Sequence, residues 1–145
     1  MLLKGSFKIP SEQEKVWSFV SDPGQVIQCV PGLQNYSLGD DKRVSATVKI
    51  SIGFIKGLFQ TNGRMVKEDP KNHTATIELM GSGAGSGFSA GVNLKLDPEG
   101  KETRLAWEAN VNVNGPLGSL ARPLIEGNVK KIVDDLFVCV KSRLT

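Results

Sequence analysis

An α+β domain, in which one curved antiparallel sheet wraps a long C-terminal helix, is the fold class this sequence predicts. Three observations predict it. Pro116 to Lys141 carries apolar residues at helical spacing, among them Leu117, Leu120, Leu124, Ile125, Val129, Ile132, Val133, Leu136, Phe137 and Val140, a broad apolar stripe on one side. Most of residues 33 to 113 alternates apolar and polar with a period of two, broken by short turns, as in antiparallel strands with one wet face. Two short helical segments lie between the first strand and this tract. A helix of the predicted length, roughly 38 Å at 1.5 Å per residue, cannot stand alone in water. The apolar face of the sheet is the partner the chain offers it.

The first strand is Leu3 to Ile9, where Leu3, Gly5, Phe7 and Ile9 alternate with Lys4, Ser6 and Lys8. Pro10 ends it. Ser11 opens a short helix, and Glu14 three residues later completes a capping box; Val16, Trp17, Phe19 and Val20 are its apolar side. Asp22-Pro23 breaks this helix and begins a second with Val26, Ile27 and Val30, which Pro31-Gly32 stops. Leu33 to Leu38 is a strand, turned at Gly39-Asp40-Asp41 into a second that contains Val44, Ala46, Val48, Ile50 and Ile52. A connection around Gly53 to Gly57 leads to Phe59, Thr61, Gly63 and Met65, and a turn at Asp69 to Asn72 leads to Ala75, Ile77 and Leu79. After a glycine-rich stretch come Phe88, Ala90, Val92, Leu94 and Leu96, then a turn at Asp97 to Gly100, then Leu105, Trp107, Ala109, Val111 and Val113. Asn114-Gly115 and Pro116 mark the start of the last helix. Pro123 lies inside its apolar pattern, where it removes a backbone hydrogen bond and pushes Arg122 from helical geometry. A kink or a two-part start is expected there.

The chain of 145 residues is read as a single domain, 1–145, large enough to bury a real core. Lys+Arg number 18 and Asp+Glu 15, with no basic run, so the net charge of +3 is no nucleic-acid signature. No stretch approaches the length of a membrane-spanning helix, and Met1-Leu2-Leu3-Lys4 lacks the layout of a secretion signal. Cys29 and Cys139 lie far apart inside apolar patterns. Buried free thiols in a cytoplasmic protein are expected of them.

Reactive groups are scarce on the predicted inner face, which offers no paired carboxylates for acid–base chemistry. His73, the lone histidine, falls in a turn with no second histidine or cysteine near it in sequence, and is read as solvated rather than as a metal ligand. Gly81, Gly83, Gly85 and Gly87 lack the endings of a phosphate loop. They are read as a hairpin or bulged bend, or as a row that leaves space above the strand. The inner face mixes bulky side chains (Phe7, Phe59, Met65, Leu79, Phe88, Trp107) with small ones (Gly5, Ala46, Thr61, Gly63, Ala75, Gly81, Ala90, Ala109). Such an interior either closes into a core or keeps a cavity for a hydrophobic ligand. The residues expected to line the cavity are Phe59, Met65, Leu79, Gly81 and Phe88 on the earlier strands. Val92, Trp107 and Ala109 follow on the later ones, with Leu120 and Leu124 from the helix.

The order of elements resembles the helix-grip fold of the START and Bet v 1-like superfamily. More narrowly, Val16-Trp17 followed by Asp22-Pro23 and Val30-Pro31-Gly32 is similar to the N-terminal signature of the CoxG family of carbon monoxide dehydrogenase subunits. Gly53 to Gly57 with Phe59, the glycine-rich Gly81 to Gly91 pair of strands, and Gly115 before the last helix extend the likeness over nearly the whole chain. This resemblance implies a non-catalytic accessory protein of molybdenum hydroxylases that recruits them to the membrane and binds a quinone or similar lipid. No catalytic residue, metal or resident cofactor is expected beyond such a ligand. The implied partners are a molybdenum hydroxylase complex and, peripherally, a membrane, without an anchor in a chain ending at Thr145. The two alternatives are an assembly factor with a closed core and a helix-grip enzyme of the cyclase or hydrolase type.

Overall fold

The computed structural model of the chain describes residues 1–144. Strand β1 (Leu2–Ile9) turns Leu3 and Ile9 into the core and leaves Lys4 and Lys8 in solvent. Helix α1 (Gln13–Val20) buries Val16, Trp17, Phe19 and Val20, as its spacing predicts. The expected capping box does not form. Glu12, not Ser11, is the N-cap and makes no side-chain cap bond. Ser11 is buried instead, and its carbonyl accepts a hydrogen bond from Thr103 Oγ1 at 2.8 Å. Glu14 reaches out of the first turn to His73 Nε2, 2.5 Å away. Helix α2 (Pro23–Val26) is capped by Asp22, whose carboxylate accepts from the Gly24 N–H, and runs into a 3-10 turn at Ile27–Cys29.

The other strands are β2 (Leu33–Leu38), β3 (Arg43–Ile52), β4 (Ile55–Asp69), β5 (Thr74–Gly83), β6 (Ser86–Glu99) and β7 (Glu102–Asn114). They form one seven-stranded antiparallel sheet in the order β1-β7-β6-β5-β4-β3-β2. From β2 to β7 each strand pairs with the next in sequence, and β1 closes against β7 with Gly5 opposite Trp107. The connection after β3 is tighter than expected: Ile52 faces Ile55 across Gly53-Phe54, with Gly53 at φ +60°. Gly81 and Gly83 lie in β5 and Gly87 in β6, joined through Ala84 and Gly85 at φ +51° and +74°. Positive φ at both central residues is the geometry of a tight hairpin turn.

The C-terminal segment is divided. A 3-10 turn, Gly115–Ser119, is followed by extended backbone at Leu120 and Ala121, and only then by α3 (Arg122–Arg143). Pro123 therefore sits in the first helical turn, where its missing N–H has no intrahelical duty. Arg122 is already helical; Ala121 takes the extended conformation expected of it. The continuous helix is about 33 Å long, shorter than the spacing alone suggests.

Two expectations fail for one reason, proximity across the fold. Cys29 and Cys139 are not free thiols but a disulfide, with Cα atoms 5.5 Å apart, that joins the 3-10 turn before β2 to α3. A separation of 110 residues hides that neighbourhood from the sequence. His73 is not a solvated turn residue either. Its side chain is 12% exposed, held by Glu14 and edge-on to Trp17 with centroids 5.6 Å apart. No helix among the described residues is long and apolar enough to cross a membrane.

Candidate ligand-binding interior

The apolar interior is divided in two. The larger cluster packs Ile9, Val16, Phe19, Leu105, Trp107 and Phe137, with their neighbours, where β1, α1 and β7 meet the C-terminal half of α3. The smaller consists of Ile52, Ile55, Phe59 and Leu117, at the β3–β4 hairpin and the turn before α3. Helix α3 makes its main backbone approaches to β1, β3 and the 3-10 turn, and bridges the sheet between them. Below that span the inner face of the middle strands is incompletely covered. Val44, Ile77, Leu79, Ala90 and Val92 all point inward yet remain half-buried. Ala46, Val48 and Leu79 belong to neither cluster. Apolar surface between the two dense clusters is therefore left partly accessible to water.

The residues expected to line the interior sort into three groups. Met65, Leu79, Phe88 and Val92 are half-buried and form the wall on β4, β5 and β6. Leu120 is half-buried against the smaller cluster, and Leu124, 40% exposed, stands at the rim over Gly53. Phe59, Trp107 and Ala109 lie behind the wall, fully or almost fully buried within the clusters. Gly81 makes space for protein rather than for a ligand, because the Phe88 ring of the neighbouring strand lies where its Cβ would be. Gly5 does the same for Trp107, whose indole nitrogen lies 2.9 Å from the place of an added Cβ.

Strand β4 also carries a bulge. Between Met65 and Lys67 the register shifts, so that Glu68 rather than Lys67 lies opposite the inward-facing Ala75. Its carboxylate is held by Lys42 Nζ, which also donates to the Ser21 carbonyl at 2.9 Å. This clasp ties the β2–β3 turn to the end of α1. The signal is in the sequence, where alternation breaks at Met65-Val66, but the charge partner is visible only in three dimensions. Of the other polar groups near the interior, Asn128 donates to the Leu124 carbonyl of its own helix and the Tyr36 hydroxyl pairs with Gln28. Among the described residues no three His, Cys, Asp or Glu side chains group to hold a metal ion. On the opposite, solvent-facing side of the sheet a shallow depression of about 690 Å³, wide open to solvent, is lined by Lys4, Ser6, Thr76, Asn93, Lys95 and Glu108 among others.

A divided core beneath a terminal helix, on this strand order, is what the family comparison bears on. The model of the carbon monoxide dehydrogenase CoxG family matches residues 5–145. The chain belongs to that family. Its structure is similar to that of a conserved protein from Geobacillus kaustophilus, with a TM-score of 0.91 at 22% identity over 99% of this chain and 95% of that one. A START superfamily protein from Mycobacterium smegmatis gives 0.66 at 18% over 99% and 96%, and the Zhui aromatase/cyclase from Streptomyces sp. R1128 gives 0.71 at 10% over 99% and 94%. These likenesses show the helix-grip, START/Bet v 1-like fold. No curated protein matches the sequence.

Proposed function

We propose that this CoxG-family chain is a carrier that holds a quinone- or lipid-like molecule between β4, β5, β6 and α3 and serves a molybdenum hydroxylase such as carbon monoxide dehydrogenase. Peripheral contact with a membrane, as the source or destination of the ligand, belongs to the same reading. The observation that carries it is the divided core: Met65, Leu79, Phe88 and Val92 line the middle of the sheet beneath α3 and remain half-buried. Each methylene a guest buries there is worth about 0.8 kcal/mol. The extended Leu120-Ala121 link ahead of α3 gives the rim a joint, with Leu124 on its helical side. Family membership supports the accessory role. On this reading the chain contributes binding and release, and the electron chemistry belongs to the quinone and the partner enzyme.

The test is direct. Protein purified without organic solvent is examined by native mass spectrometry, then extracted and titrated with a decyl-substituted benzoquinone while tryptophan emission is followed. A bound mass of lipid size, or quenching that saturates and raises the melting temperature, supports the carrier. An interior that takes up no apolar probe favours an assembly factor with a closed core. A second reading, an enzyme, draws on the aromatase/cyclase among the structural neighbours. It would require turnover of the bound molecule, visible as a mass change on incubation.

A further inference from the structure

Thr61 lies in the middle of β4, between Ala46 on β3 and Gly81 on β5, and on the same face of its own strand as Phe59 and Gly63. None of these four neighbours carries a side-chain hydrogen-bonding group. Thr61 Oγ1 is buried and has no hydrogen-bond partner. The contrast with other strand threonines is sharp. Thr47 donates to Gln60 Oε1 at 3.1 Å, Thr76 to Asn93 Oδ1 at 2.8 Å, and buried Thr103 to the Ser11 carbonyl at 2.8 Å. Two other buried side-chain atoms among the described residues also lack a hydrogen-bond partner, Glu99 Oε1, which faces Lys8 Nζ at 3.9 Å, and Trp107 Nε1. The other oxygen of Glu99 is bound by Arg104, and the Trp107 indole lies across Gly5 inside the larger cluster. Thr61 differs in its place: Ala46 and Phe59 beside it are buried, but the residue itself is only half-buried, so water reaches a part of it other than the hydroxyl. Its side chain thus borders the accessible interior, and rotation about one bond exchanges its methyl and its hydroxyl. A buried hydroxyl left unpaired is costly, and valine would give the same shape without that cost.

We infer that Thr61 is the polar anchor of the interior, donating its hydroxyl proton to a carbonyl oxygen on an otherwise apolar ligand. The inference rests on the carrier reading and narrows it: the guest is an apolar body bearing a carbonyl, such as a quinone or a long-chain ketone, rather than a hydrocarbon. The wall supplies affinity by burial, and the single hydroxyl fixes which end of the ligand lies at the middle of β4.

Two probes and two variants test this. A decyl-substituted benzoquinone and decylbenzene, which lacks oxygen, each compete with a fluorescent apolar dye for wild type, Thr61→Val and Thr61→Ser. Thr61→Val should weaken the quinone about three- to tenfold, the scale of one net hydrogen bond, leave decylbenzene unchanged, and be rescued by Thr61→Ser. Equal quinone affinity in wild type and Thr61→Val overturns the anchor while the carrier stands. Binding of neither probe by wild type overturns the carrier, and the anchor with it. If Thr61→Val does not fold, the infrared carbonyl stretch of quinone bound to wild type decides. A stretch lowered from its position in alkane supports the hydrogen bond, and an unshifted one overturns it.

Discussion

Leu124 and Ile125 are adjacent and equally apolar, yet the fold treats them differently. Ile125 is 3% exposed and Leu124 40%. Ile125→Ala should therefore cost about 2–5 kcal/mol, as for a closed core site, whereas Leu124→Ala should cost less than about 1 kcal/mol. Urea unfolding of the two variants measures both, and the reverse order would put the helix in a different rotation. Ala109 lies inside the larger cluster, opposite Leu3 and Val92. Ala109→Leu should overpack it at about 1–3 kcal/mol, a loss that reports on that cluster and not on the open middle of the sheet. Glu99 provides a pH signature. A hydrogen bond from Arg104, with the charges of Arg104 and Lys8, holds its carboxyl below the ordinary carboxylate range. A group whose folded pKa is depressed contributes stability above its unfolded value, about 4.3, and loses it as pH falls through the folded value. The melting temperature should fall with pH below about 4, and less steeply in Glu99→Gln. At this scale the sequence is informative about which side of a strand a residue faces. It is silent on how deep the residue lies, because Trp107 and Leu79 share a face but not an environment.

Strands were legible because a period of two survives in nearly every one of them, and the tract from Val44 to Val113 needed only its turn residues to be parsed. Helix ends were less so. Ser11 and Glu14 have the spacing of a capping box, but a buried backbone bond to Thr103 and a contact with His73 outcompete it. Pro123 was legible as a break, though the break falls one residue earlier. The disulfide was not legible, since it depends on where α3 lies against the 3-10 turn of residues 27–29 rather than on any motif. It pins the C-terminal part of α3, and its removal should be felt as loss of the constraint on the unfolded chain. Cys139→Ser, or reduction in dithiothreitol, should lower stability by about 2–4 kcal/mol. Unfolding curves that coincide with and without reductant would mean that the two thiols are not joined in solution.

The helix-grip architecture as a whole followed from one long amphipathic helix and a one-sided sheet that each needed a cover. The interior was legible only as a surplus of small residues; which of them make room for ligand and which for protein, as Gly81 does for Phe88, depends on cross-strand register. If the open middle binds a carbonyl-bearing guest, ligand at a hundred times its dissociation constant should stabilise the protein by about 2.7 kcal/mol, seen as a concentration-dependent rise in melting temperature.

The pairing of β1 with β7 has a consequence for synthesis. Leu2 lies opposite Asn110, so β1 leaves the ribosome about a hundred residues ahead of its partner and stays unpaired until β7 has been made. At about 5–20 residues per second, the apolar side of Leu3, Phe7 and Ile9 stays uncovered for some 5–20 s in each round of translation. The β2–β6 meander can assemble during that interval, strand upon strand, while β1 waits. A nascent chain of this kind should engage chaperones at the exit tunnel, and slowing translation before β7 should lower the yield of native protein more than slowing it after α3 has begun.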